Sequence, residues 1–225
     1  MISYILYRTA SILAGSLPQA LCMRIAAVVA FIFFAFKPAI RKNVRTNFEK
    51  LGMRPKSTFP VFRNFSRAVT DLLRLSHMSR DELMALCRTH GTDNLDRALN
   101  KGKGAILFAP HLGPWDLAGA CLSCLDRSFS RRGMRLRFFD TDTLLPDGHI
   151  TLSLRSGAAL VPCCSWYAPD GRIEIAFGEE IRIPDSGDFR PAIGQACVER
   201  IEEFVRSHPE QWFAFDHLWE GERHV

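Results

Sequence analysis

Gly102-Lys-Gly-Ala-Ile-Leu-Phe-Ala-Pro-His111-Leu-Gly-Pro-Trp-Asp116-Leu-Ala-Gly119 is the stretch whose reading decides the fold. Residues 105–109 form a short, wholly apolar run, the pattern of a strand covered on both faces. Residues 110–113 read as a loop, and Pro114 suits the first turn of a helix running to about residue 125. A buried strand, a loop and a helix make the repeating unit of an α/β sheet, which places its sites on loops at the carboxyl ends of strands. His111 stands on such a loop. Asp116 falls in the first helical turn, where unsatisfied amides and the helix dipole favour an ionised carboxylate. Gly113 lets the backbone turn sharply, so that the Asp can reach back to the imidazole. A carboxylate on one ring nitrogen fixes the tautomer and leaves the other nitrogen to take a proton from a hydroxyl.

A His followed five positions later by an acid is weak evidence when taken bare. With 7 His and 24 acidic residues in 225, about 0.75 such matches arise by accident. His77 and Glu82 are one of them, on a polar helical stretch with no loop between them, and that pair is set aside. The bland alternative for His111 and Asp116 is a pair that caps the helix and does nothing else.

Outward from this stretch, apolar residues recur at helical spacing over 59–86, and Ser79 with Glu82 three positions on restarts a helix. Residues 94–100 read as a short helix. In the second half, 158–166 is apolar and strand-like, 168–171 is a turn, and 172–177 and 181–183 alternate as strands do. A helix over 191–207 stops at Pro209, and 212–215 read as a last buried strand. The order predicts one α/β domain with a mixed central sheet flanked by helices.

The N-terminus has another character. Residues 9–23 carry no charge, Arg24 interrupts, and 25–36 read IAAVVAFIFFAF before Lys37, Arg41, Lys42 and Arg45. The second run alone is short for a span, counting across Arg24 buries a cation, and Pro18 argues against one continuous helix. A membrane anchor with its basic flank on the cytoplasmic side, an interfacial helix and a buried core helix all fit; the basic flank favours membrane contact. A cleaved signal peptide fits poorly, because no small-x-small site follows. The segment 1–40 is therefore divided from a domain over 41–225.

Composition sets the remaining bounds. A net charge of +5 favours anionic partners, among which nucleic acid ranks low for want of an aromatic-basic signature. Seven Cys in no regular framework, two of them adjacent at Cys163 and Cys164, fit a reduced compartment. Cys121 and Cys124 form one C-x-x-C with no second pair, which reads as two small buried residues one helical turn apart and not as a zinc site.

The stretch 102–119 resembles the bacterial lipid A biosynthesis acyltransferases, the lauroyl and myristoyl transferases, and their relatives that acylate phosphatidylinositol mannosides. The family pattern is H-x-G-N-W-E-x-x-G; here Pro114 replaces Asn and Asp116 supplies the acid. Residues 41–48 (RKNVRTNF), 152–162 (LSLRSGAALVP) and His208-Pro-Glu-Gln-Trp212 are similar to further family segments, in family order. The resemblance implies a glycerolphosphate acyltransferase-like fold on the cytoplasmic face of a bacterial inner membrane. It implies acyl carrier protein or coenzyme A thioesters as donors, a membrane lipid or glycolipid as acceptor, and no metal or other cofactor. The acceptor's own hydroxyl attacks the thioester, so no Ser or Cys nucleophile is needed. His111 is then the base and Asp116 its partner, with Gly113, Trp115 and Arg155 at the substrate. Arg155 reads equally as a phosphate or oxyanion contact or as a structural ion pair.

One family segment has no counterpart. The helix after Asp116 passes almost directly to Arg131-Arg-Gly-Met-Arg-Leu-Arg-Phe-Phe139, without the long middle segment that carries a strand and an acidic element. Asp140 or Asp142 could stand in for that acid, although surface loop aspartates are the plain reading. Two functions follow: an O-acyltransferase, or a shortened inactive relative that binds membrane or a partner.

Overall fold

A computed structural model describes residues 2–122, 133–182, 189–216 and 218–219. The strands are β1 (Cys87–His90), β2 (Ala105–Phe108), β3 (Met134–Phe138), β4 (Thr141–Leu145), β5 (Ala159–Tyr167) and β6 (Ile173–Phe177). Four form one mixed sheet in the order β1-β6-β5-β2. β2 lies parallel to β5, β5 antiparallel to β6, and β6 parallel to β1. β5 is buried along nearly its whole length, as a sequence apolar but for Ser165 favours.

The helices are α1 (Ile2–Ser16), α2 (Gln19–Phe36), α3 (Pro38–Lys50), α4 (Phe59–Leu75), α5 (Arg80–Leu86), α6 (Thr92–Leu99), α7 (Trp115–Leu122), α8 (Gly148–Ser156) and α9 (Arg190–Ser207). Successive side chains of a strand point to opposite faces, and β5 divides accordingly. Ala159, Val161, Cys163 and Tyr167 meet Leu72 of α4, Ala98 of α6 and Leu117 and Ala118 of α7. Leu160 and Cys164 face the other way, toward Ile150 of α8 and Ile193, Cys197, Val198 and Val205 of α9. Pro18 separates α1 from α2, and both pack along α4. Ser79 and Glu82 close a full capping box at the start of α5.

Several elements differ from expectation. β1, with the polar sequence Cys-Arg-Thr-His, carries no apolar alternation; it is an edge strand held by its pairing to β6. Residues 212–215 do not form a strand. A 3₁₀ turn (Pro209–Gln211) is followed by a single antiparallel bridge from Trp212 to Leu112. Beyond it Phe213 and Phe215 leave the sheet to pack edge-on against Phe65 of α4, with centroids at 5.3 and 4.9 Å. Among the described residues β3 and β4 pair only with each other, and they lie against α9, with Leu136, Phe138 and Phe139 in one cluster with Val198, Val205, Trp212 and Trp219. The Cys121 and Cys124 reading, like the junction at 123–132, lies outside the described residues.

Candidate active site

β2 ends at Phe108, and the chain turns at once, Leu112 N–H donating to Pro110 C=O at 2.8 Å. Residues 111–113 then run antiparallel to 211–213. Phe213 N–H donates to His111 C=O and Gly113 N–H to Gln211 C=O, both at 2.9 Å. Leu112, fully buried between these bonds, takes a further hydrogen bond on its carbonyl from the Ser165 hydroxyl at 3.2 Å. The backbone that presents His111 is therefore held from β5 and from the C-terminal strap.

Gly113 is required twice over. Its φ is +58°, a region that costs any residue with a Cβ. A Cβ there would also stand 2.4 Å from Ser165 O and 2.8 Å from Trp166 Cα. Pro114 C=O accepts from Leu117 and Ala118 N–H at 3.0 Å and so opens α7. Trp115 and Asp116 occupy the first turn of α7, both half-buried, and the Trp115 ring lies 5.1 Å from the imidazole of His111 at 53°. The structure thus brings His111, Gly113, Trp115 and Asp116 to one end of β2.

Arg155 is not with them. It is exposed on the last turn of α8, just before β5 begins. Ala159 pairs with Ala105 at the amino end of β2, whereas Ser165 meets the His111 loop. The stretch between Ala159 and Ser165 is about 20 Å of extended strand. Arg155 therefore lies at the opposite end of the sheet, as the parallel register of β2 and β5 requires. Asp140 and Asp142 are both exposed, Asp140 in the β3–β4 turn with an ion pair to Arg137 at 3.3 Å, as the plain reading had it.

The residue that sequence reasoning missed is Gln211. Its buried amide accepts from Tyr167 N–H at 2.8 Å and donates to Tyr167 C=O at 3.1 Å, while its backbone carbonyl holds Gly113. One side chain thus ties the strap to the end of β5 and to the His111 loop. The signal was present in His208-Pro-Glu-Gln-Trp212, but a Gln in a polar segment gives no hint of a buried clamp.

Helix α4 closes this end of the sheet with a polar stripe. Asn64 donates to Glu210 C=O at 3.0 Å, Arg67 to Gly171 C=O at 2.8 Å, and Tyr167 OH to Asp71 at 2.6 Å. Burial raises the Asp71 carboxyl above the usual range, against the opposing effects of Tyr167, Arg67 and Arg74. The buried thiols on the opposite face of the sheet are poor nucleophiles: burial pushes Cys197 up to about 12 and Cys164 higher still. Ser165, buried with its hydroxyl on Leu112, is likewise committed. Among the described residues no three His, Cys, Asp or Glu side chains converge as metal ligands. What the arrangement offers is one presented imidazole with a carboxylate in the next helical turn.

The model of the bacterial lipid A biosynthesis acyltransferase family matches residues 1–125 and 122–220. The two stretches meet at 122–125. A phosphatidylinositol mannoside acyltransferase of Mycolicibacterium smegmatis is 23% identical over 243 aligned positions, covering 79% of this chain and 79% of its own. One from Mycobacterium tuberculosis is 26% identical over 191 positions, covering 57% of this chain and 58% of its own. The family match takes in the N-terminal helices, the His111 loop and the C-terminal strap together, and the chain belongs to the bacterial lipid A biosynthesis acyltransferase family.

Proposed function

We propose that the chain transfers a fatty acyl group from an acyl carrier protein or coenzyme A thioester to a hydroxyl of a glycolipid, at the cytoplasmic face of a bacterial inner membrane. The observation that carries this reading is the presentation of His111 at the carboxyl end of β2, with Asp116 in the first turn of α7. His111, neutral, takes the proton of the acceptor hydroxyl as that oxygen bonds to the thioester carbonyl carbon. The carbon–sulfur bond then breaks, and the imidazolium returns the proton to the departing thiol. Asp116 holds the imidazole in its working tautomer and stabilises its charged form. The names of the mycobacterial relatives support a glycolipid acceptor. A largely apolar, open cleft of about 450 Å³, lined by Phe48, Met53, Pro55, Pro60, Val61 and Pro209 with Arg54, Ser57 and Glu210 beside them, adjoins residues 209–211 and has room for part of an aliphatic chain.

The test is an acyl-transfer assay with both donor types against a bacterial lipid extract. His111→Ala is expected to lower turnover by about 10²–10⁴-fold with the circular dichroism spectrum unchanged. Full activity in that variant would refute the assignment. A second reading, a shortened relative that binds without turnover, is favoured by the missing middle segment; the same assay decides it, because consumption of any acyl thioester that depends on His111 excludes an inert protein.

A further inference from the structure

Helix α2 is long and apolar enough to cross a bilayer, with a mean hydropathy of 2.1 over Gln19–Phe36. Its packing argues otherwise. At its amino end Arg74 of α4 donates to the carbonyls of Ala14 and Leu17 and reaches Cys22 Sγ at 3.6 Å. At its carboxyl end Phe34 meets Phe59 and Phe62, with ring centroids at 5.5 and 5.3 Å. Between them Cys22, Ala26 and Ala30 are the buried residues, small side chains four apart that admit α4 closely. α2 therefore lies antiparallel along the whole of α4. α4 in turn is fastened to the catalytic end of the sheet through Asn64, Arg67 and Asp71. A span made by α2 would draw Arg67, Asp71 and Arg74 into hydrocarbon with it, where charges are strongly disfavoured.

The outer faces say what does cover these helices. Ile25, Val28, Val29 and Ile32 of α2, and Ile5 and Ile12 of α1, are each about half exposed, an extended apolar surface with the exposed Arg24 beside it. Lys37, Lys42 and Arg45 follow, all exposed, as cations beside an anionic lipid surface do. We infer that α1 and α2 lie in the plane of a single leaflet of an anionic bilayer as a monotopic platform, with the N-terminus and the rest of the chain on the same side. The platform sits on the far side of α4 from the sheet, so the α4 stripe separates lipid from the His111 end by one helix thickness, about 10 Å. The inference deepens the membrane location in the proposed function; it rests on packing and not on the chemistry of His111.

The experiment reads topology and depth, not turnover. Full-length chain carrying protease-cleavable tags at both termini is produced in bacterial membranes. Both tags are expected to be cut in inverted vesicles and protected in spheroplasts; an N-terminal tag cut in spheroplasts overturns the inference. In a second measurement Val28→Trp, read against the parent chain, is bound to preformed vesicles of phosphatidylcholine and phosphatidylglycerol. Val28 lies at the middle of α2, so an in-plane helix is quenched more by lipids brominated near the headgroup. Stronger quenching by bromine near the methyl end means a crossing helix, and no binding means that lipid does not cover this face; either result overturns the platform. The triple variant Lys37→Glu, Lys42→Glu, Arg45→Glu is expected to weaken binding to these vesicles at least tenfold. Undiminished binding by that variant refutes the anionic part of the claim. A dead enzyme with this topology would refute the proposed catalysis alone.

Discussion

At Gly113 one residue sets both the direction of the chain and the position of His111. Its positive φ and its 2.4 Å approach to Ser165 O leave no room for a methyl group. Gly113→Ala is expected to cost about 2 kcal/mol or more in urea denaturation, and acyl transfer should fall further than the loss of folded protein explains. Gln211 acts at the same place from the other strand. Gln211→Leu removes both side-chain bonds to Tyr167 and leaves a buried N–H and C=O unpaired, at about 1–3 kcal/mol for each group. If the clamp positions His111, the folded fraction of this variant will show a lower kcat with KM little changed. A variant that is less stable but has the parent kcat would make Gln211 purely structural.

Among the elements, those whose own residues dictate them were legible. The unbroken apolar run of β2, the Pro114 start of α7, the capping box at Ser79 and the break at Pro18 all appear where the sequence puts them. The elements that escaped depend on partners far along the chain. β1 exists because β6 offers it a free edge, and 212–215 fail to form a strand because Phe213 and Phe215 find aromatic partners on α4. The candidate site divides in the same way. His111, Gly113, Trp115 and Asp116 are local in sequence and come together, whereas Arg155 is set apart from them by strand register, which alone shows which end of β5 it occupies. The β3–β4 hairpin carries a prediction of its own. Phe139 and Asp140 turn it with φ of 45° and 59°, the backbone of a tight hairpin turn that favours Gly at its second position. Asp140→Gly is expected to raise stability by up to about 1 kcal/mol, since its exposed ion pair with Arg137 contributes little. Its acyl transfer should equal that of the parent; a collapse in activity would instead make Asp140 the replacement acid.

Across the whole molecule, the two faces of the sheet carry different liabilities. The α4 face pairs Tyr167 with Asp71 and Gln211 with the backbone, and its one buried polar atom without a hydrogen bond among the described residues, Arg67 Nε, lies 3.7 Å from the Asp71 carboxylate. The α8 and α9 face holds two imidazoles with an unsatisfied nitrogen: His149 Nε2, stacked on Phe108 at 5.4 Å, and His208 Nδ1, stacked on Trp166 at 4.6 Å. Burial lowers the pKa of both, opposed only in part by Asp147 beside His149 and Glu210 beside His208. In the unfolded chain each returns to about 6.5. The unfolded state therefore binds more protons between the folded values and about 6.5, so stability is fully present above that pH and falls as pH drops below it. Melting temperature should decline between pH 7.5 and 5.5, before the carboxylates titrate. His149→Phe keeps a ring against Phe108 and cannot take up a proton, so its decline should be shallower than the parent's. A parallel decline in that variant would mean that His149 takes up its proton equally in both states and that the acid sensitivity has its source elsewhere.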